Sequence, residues 1–271
     1  MTNKNINQQI QILINQFNVK NFDNVISKCK ILLRKNPEYV ILYNLLGSSF
    51  QNIGNYIDAK ENFILGLKLD PNNLALMNNL AMSYKNLLQY KLAEELYEKI
   101  ISINKNYINA YVNLGNLKRD LNKFQEAIDL YEKALIISNE NPIVYYSLAL
   151  AHQGIGNFEK SINYAKKTLK VDPKFTRADH LISQSTKYKE NNEHYLSIKE
   201  KINNLDIKNF EKVDLFFSLA KAEEDIGNIK KASDYLLEGN KIRKKLVNYN
   251  VESELNLLMH TQKYFEKITN Y

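Results

Sequence analysis

The stretch LGSSFQNIGNY at Leu46–Tyr56 returns at a fixed spacing, and that spacing limits the fold more than any other feature of the chain. LAMSYKNLLQY begins at Leu80, LGNLKRDLNKF at Leu114 and LALAHQGIGNF at Leu148, a period of 34 residues. Four tandem units follow, 40–73, 74–107, 108–141 and 142–175, with nothing inserted between them. A period of this length means one supersecondary unit, too small to bury its own apolar face, stacked on its neighbours.

Each unit reads as two amphipathic helices, A and B. In the first, Tyr43, Leu46, Gly47 and Phe50 fall on one face of helix A. Gly54 supplies the left-handed residue that ends it, and Asn55 suits the N-cap of helix B. The Gly-Asn pair returns at Gly156-Asn157 and Gly227-Asn228. Ala59, Phe63 and Gly66 share one face of helix B, and Pro71 closes it. Gly47 and Ala59 are small where two helices joined by a short turn must approach closely.

These residues resemble the tetratricopeptide repeat (TPR): Tyr43, Leu46, Gly47, Phe50, Ala59, Phe63, Gly66 and Pro71 match its pattern throughout. Later units depart at Ile100, Lys105, Lys118, Asn139, His152 and Ala165. The resemblance implies an all-α, right-handed α-solenoid. The expected organisation is a TPR array over 1–175, opening with a degenerate unit at 6–39. There Ile12, Phe22 and Cys29 hold core positions and the polar Gln9 and Gln16 replace aromatics. Residues 176–271 form an irregular helical region: a helix from 176, a bend at Lys189–His194, a second helix to about Leu205, a TPR-like unit at 213–246 and a last helix over about Val251–Ile268. Phe216, Leu219, Ala220, Gly227, Ala232, Leu236 and Gly239 mark the unit at 213–246.

The segment FSLAKAEEDIGNIKKASDYLLEGNKIRKK (Phe217–Lys245) is more particular. With HYLSIKEK before it and ELNLLMHTQKYF after it, it is similar to the non-catalytic region of bacterial TPR-sulfotransferase fusion proteins. In that family a sulfotransferase domain with a phosphosulfate-binding loop would begin shortly after this chain ends. No such loop and no G-x-x-x-x-G-K-[ST] stands here, so no catalytic residue carries over.

The net charge of +7 raises nucleic acid as a partner, but 33 of the 37 basic residues are Lys, whereas phosphate and base recognition favours the Arg fork. No apolar run reaches the ~18 residues of a membrane span, and the start lacks signal-peptide features. A lone cysteine makes no internal disulfide, so a cytoplasmic setting is expected. His152 reads as a core residue and His180, His194 and His260 as surface residues; none has metal-ligand spacing. Cys29 reads as a buried thiol, and Glu94-Glu95 and Glu223-Glu224 as solvated helix faces. Tyr43, Tyr84, Tyr97, Tyr111, Tyr131 and Tyr145 occupy core positions rather than base-stacking ones. No enzyme, metal or cofactor is expected.

The resemblance places a concave groove along the A helices. The positions left free by the core carry Asn44, Ser48, Asn78, Asn79, Lys85, Asn109, Asn113, Asn116 and Arg119. Asn79 and Asn113 share one position in consecutive units and look like the asparagine ladder of glycosyltransferase-type TPR superhelices, which grips a peptide backbone. The flanking units carry Leu45 and Ser147 there, and the chain is rich in Asn throughout, so composition is the alternative explanation. The Lys/Asn clamp of chaperone-binding TPRs is not matched. The expected function is a non-catalytic scaffold for a peptide or protein, extended or acidic, with Lys85 and Arg119 favouring an acidic or sulfated segment. The alternatives are a substrate-recruiting part of a TPR-sulfotransferase, and a stand-alone adaptor in a secretion or surface-assembly pathway.

Overall fold

The computed structural model describes residues 3–204 and 206–247. The expected last helix over 251–268, and His260 with it, lie outside the described residues. Fourteen α-helices and no strand make up the described chain. It forms two compact units, 1–156 and 157–271, and the boundary falls between the two helices of the fourth 34-residue repeat.

The first unit holds α1 (Asn3–Asn18), α2 (Phe22–Lys35), α3 (Val40–Asn52), α4 (Tyr56–Leu69), α5 (Leu74–Asn86), α6 (Tyr90–Ile103), α7 (Ile108–Asp120), α8 (Phe124–Ile137) and α9 (Pro142–Gly154). Odd-numbered helices are the A helices and even-numbered ones the B helices. Each helix packs on the next in sequence, and each A helix also touches the A helix after it. The local chemistry matches the sequence expectation. Gly54 lies at φ +80° after α3, and Asn55 accepts a hydrogen bond from the Asp58 amide at 3.2 Å to cap α4. The close A–B approach is real: a Cβ on Gly47 would stand 2.5 Å from the buried Phe63 ring. Gly115 and Tyr131 repeat that contact two units later.

The core runs through the repeats. Leu46, Leu80, Leu114 and Leu148 are all buried, with Phe63, Tyr97 and Tyr131 at 0% exposure opposite them on the B helices. Tyr111 is buried as well, while Tyr43, Tyr84 and Tyr145 are half-buried. The degenerate first repeat differs. Ile12, expected in the core, is 50% exposed, and Ile6, Ile10 and Leu13 are buried in its place. The reason is positional: the register puts Ile12 where the other A helices meet the preceding B helix, and among the described residues no helix precedes α1.

The second unit holds α10 (Phe158–Val171), α11 (Thr176–Ser185), α12 (Glu193–Asn204), α13 (Asn209–Ile226) and α14 (Ile229–Val247). α10 packs on α11, α11 and α12 pack on α13, and α13 packs along α14. Gly227 at φ +95° separates α13 from α14, as the Gly-Asn pair predicts. Leu236, expected to mark the core of this last pair, is 46% exposed; Ala232 and Gly239 carry the contact instead, with Gly239 against Phe217 and Phe216.

Candidate peptide-binding face

The A helices α3, α5 and α7 of the first unit carry every sequence-predicted site residue, in two clusters and two separate positions. Four amides form one head-to-tail file. Asn113 Nδ2 donates to Asn78 Oδ1 at 2.9 Å, Asn78 Nδ2 to Asn79 Oδ1 at 3.5 Å, and Asn79 Nδ2 to Asn44 Oδ1 at 2.9 Å. Asn79 Nδ2 also reaches Ser48 Oγ at 3.4 Å. The rule behind the file is simple. The fifth residue of one unit accepts from the sixth residue of the next, so the bonds link α3 to α5 and α5 to α7.

The amides therefore do not stand as two free rungs, as the sequence alone suggests. The Asn79–Asn44 and Asn113–Asn78 bonds tie neighbouring A helices together, each contributing about 0.5–1.5 kcal/mol net, while the longer Asn78–Asn79 contact lies within α5. The file still has capacity, because each amide offers two donor hydrogens and two acceptor lone pairs. Asn44 is engaged through its oxygen and Asn113 through its nitrogen, which leaves a donor end at Asn44 and an acceptor end at Asn113.

The second cluster is charged. Lys85 Nζ lies 2.6 Å from Asp120 Oδ2, and Arg119 Nη2 lies 3.3 Å from Asp120 Oδ1. Two cations share one carboxylate, so the end of this face at α7 keeps a positive surplus. Asn116 accepts from the Tyr131 hydroxyl at 2.8 Å and so braces the A–B pair. Burial pushes Tyr131 up to about 12, which keeps that hydroxyl a donor. Asn109 is exposed and joins neither cluster.

Sequence reasoning missed several buried polar groups. Gln51, 8% exposed, donates to the Asn79 carbonyl at 2.7 Å and to Ser83 Oγ at 2.8 Å, a further tie between α3 and α5. Lys118, at an aromatic position of its repeat, is 8% exposed and pairs with Glu94 and Glu126. Burial opposes its charge, yet the hydrogen bonds to Glu126 and Glu94 hold its pKa above the ordinary lysine value. Glu94 is thus a half-buried partner and not a solvated face. The signal was available: a lysine in the aromatic slot, with acids one helix before and one helix after.

In the second unit the corrections are larger. Asp179 is 0% exposed, with Lys201 Nζ 2.6 Å from its Oδ2 and His194 Nε2 3.2 Å from its Oδ1. His194 Nδ1 in turn meets the Tyr188 hydroxyl at 2.7 Å. Glu223, expected on a solvated face, is 0% exposed and accepts from the Tyr195 hydroxyl at 2.7 Å and from Asn228 at 2.8 Å. His180 and His194, expected on the surface, are half-buried, and burial lowers the pKa of His180. The Asp179–His194–Tyr188 chain has the order of an acid–base relay, but both ring nitrogens are engaged and Tyr188 is 2% exposed. It offers no free group to a substrate.

Cys29 is fully buried and desolvation lifts its pKa to about 12, so it stays a thiol. His152 is buried, as expected. Among the described residues no group of His, Cys, Asp or Glu could hold a metal ion, and no helix is long and apolar enough to cross a membrane.

A tetratricopeptide-repeat family model matches residues 40–73, the first unit of the 34-residue series. A second model, the C-terminal ARM domain of tetratricopeptide repeat protein 21, matches residues 75–187. The fold is that of an all-α helical repeat of the TPR type. No curated protein matches it. Among solved structures, a TPR protein from Parabacteroides merdae is similar over 94% of this chain and 98% of its own, at 16% identity and a TM-score of 0.62. A thermophilic TPR protein of Thermus thermophilus is similar over 66% of this chain and 97% of its own, at 16% identity and a TM-score of 0.60. Both testify to the fold alone. A MamA crystal structure is 26% identical over 62% of this chain and 92% of its own, with a TM-score of 0.50.

Proposed function

We propose that this TPR protein is a non-catalytic scaffold that holds an extended peptide of a partner protein along the helix-A face of α3, α5 and α7. TPR arrays mediate protein–protein interactions, and the similarity to MamA and to the TPR models supports that general role. The observation that carries the specific reading is the amide file from Asn44 to Asn113. A row of amides held in place by its own hydrogen bonds matches the donor and acceptor groups of a peptide backbone without reading its side chains. Its ordering is complete before the peptide arrives, which lowers the entropic cost of binding. The Lys85/Arg119 surplus favours acidic side chains in the half of the peptide that lies on α7.

The test is a selection of short linear peptides from a random display library on the folded chain, followed by titration of the best binder. The Lys85→Ala/Arg119→Ala variant should bind an acidic selected peptide about tenfold more weakly, with only a small fall in melting temperature because these half-buried pairs stay open to solvent. Equal affinity for the variant and the parent would remove this face from the account. A second reading, recruitment of substrate for a sulfotransferase domain, rests on the similarity at Phe217–Lys245; it expects the isolated chain to bind no sulfonate donor.

A further inference from the structure

The first repeat has an open seat on the side away from α3. In the later repeats of this unit, each A helix is covered there by the B helix before it. Lys30 of α2 lies 5.1 Å over the Phe50 ring of α3, and Leu76 of α5 lies against Gly66 of α4. Lys118 of α7 pairs with Glu94 of α6, and Phe124 of α8 presses on Gly154 of α9. Under that cover the leucines equivalent to Ile12 are nearly inaccessible: Leu46 3%, Leu80 5%, Leu114 4% and Leu148 0%. Ile12 itself is 50% exposed.

The space beside it is a cavity of about 310 Å³ between α1 and α2. Ile12, Leu13, Ile31 and Leu32 form its apolar lining, and Ile31 is 53% exposed. Gln16, in the slot where the next repeat has Phe50, holds its Oε1 buried at this site with no hydrogen-bond partner among the described residues. The only charged side chains on the lining are Lys28 and Lys35, both on α2.

We propose that this seat receives one amphipathic α-helix of a partner protein, with acidic side chains flanking its apolar face. The repeat itself dictates the shape of the occupant, because in every later repeat of the unit a helix covers the position equivalent to Ile12. The two lysines dictate its charge, and the orphaned Gln16 oxygen asks for one donor from it. The site is separate from the amide file: it lies on α1 and α2, whereas the file lies on α3, α5 and α7, and it needs no part of the peptide-binding reading.

The full chain would be titrated by fluorescence anisotropy with a labelled Leu/Ala/Glu amphipathic helix, and with the same peptide carrying Lys for Glu. The Glu peptide should bind, and Ile12→Glu, a change at an exposed position that keeps the fold, should abolish binding. Lys28→Glu/Lys35→Glu should weaken the Glu peptide about tenfold and transfer preference to the Lys peptide. Backbone NMR shifts on binding should centre on Ile12, Gln16 and Ile31. Absence of binding, indifference to the charge reversal, or shifts centred on α3, α5 and α7 would each overturn the proposal. So would sedimentation showing that the chain dimerises and that Ile12→Glu dissolves the dimer, since the occupant would then be a second copy.

Discussion

The two compact units solve the same packing problem by different means. In the first, A and B helices meet through small residues under aromatic rings, Gly47 under Phe63 and Gly115 under Tyr131, and polar side chains are added between repeats. In the second, α11 and α12 are joined by a buried ion pair and a histidine, Asp179 with Lys201 and His194. Apolar packing at a fixed period tolerates drift at single positions, as Lys118 and His152 show. A buried ion cluster tolerates no loss of a member, because the partner left behind is desolvated and unpaired.

The largest expected effect follows from that difference. Asp179→Ala should destabilise the second unit by about 3–5 kcal/mol, since it leaves Lys201 buried without its counter-charge. Asp179→Leu with Lys201→Met should recover most of the loss. Urea denaturation of the three proteins checks this, and a small effect of Asp179→Ala alone would mean that the cluster is solvated.

The second effect is a pH dependence set by one carboxyl of the second unit. Burial alone would raise the pKa of Asp225, but hydrogen bonds from Lys221, Lys187 and the Tyr188 amide bring it down to about 2. A carboxyl depressed in the folded state adds stability above its unfolded pKa, and that stability is lost as pH falls through the folded value. About 2 kcal/mol should therefore disappear between about pH 4 and pH 2, and Asp225→Asn should flatten that part of the profile. An unchanged acid limb in Asp225→Asn would assign the acid sensitivity elsewhere.

The smallest effect belongs to the first unit. Asn79→Ala removes the bonds to Asn44 and Ser48 and should cost about 1 kcal/mol, read as a modest fall in melting temperature. No change would mean that the amide file is not formed in solution.

The same contrast explains what could be read from the sequence. The helices of the regular repeats, their turns and their core leucines are legible because the constraint repeats every 34 residues: Gly54 and Gly156 do the same job at the same place. Ile12 misleads because the period marks a position and not whether a neighbour covers it. The Asp179 cluster is hidden for another reason. Its members lie at 179, 188, 194 and 201, outside any repeat, and nothing local tells a buried Asp–Lys pair from two surface charges. The site residues are intermediate. The period puts Asn44, Asn78, Asn79 and Asn113 on one face, but only the structure shows that they bond to one another.

The account rests on the helix-A face as the place where a partner peptide lies, and the most direct measurement is a backbone amide NMR map of the chain with a selected peptide bound. The account predicts shifts concentrated on α3, α5 and α7, around Asn44, Asn79, Asn113 and Arg119. Shifts confined to the outer faces of α4, α6 and α8, with those residues unmoved, would contradict it.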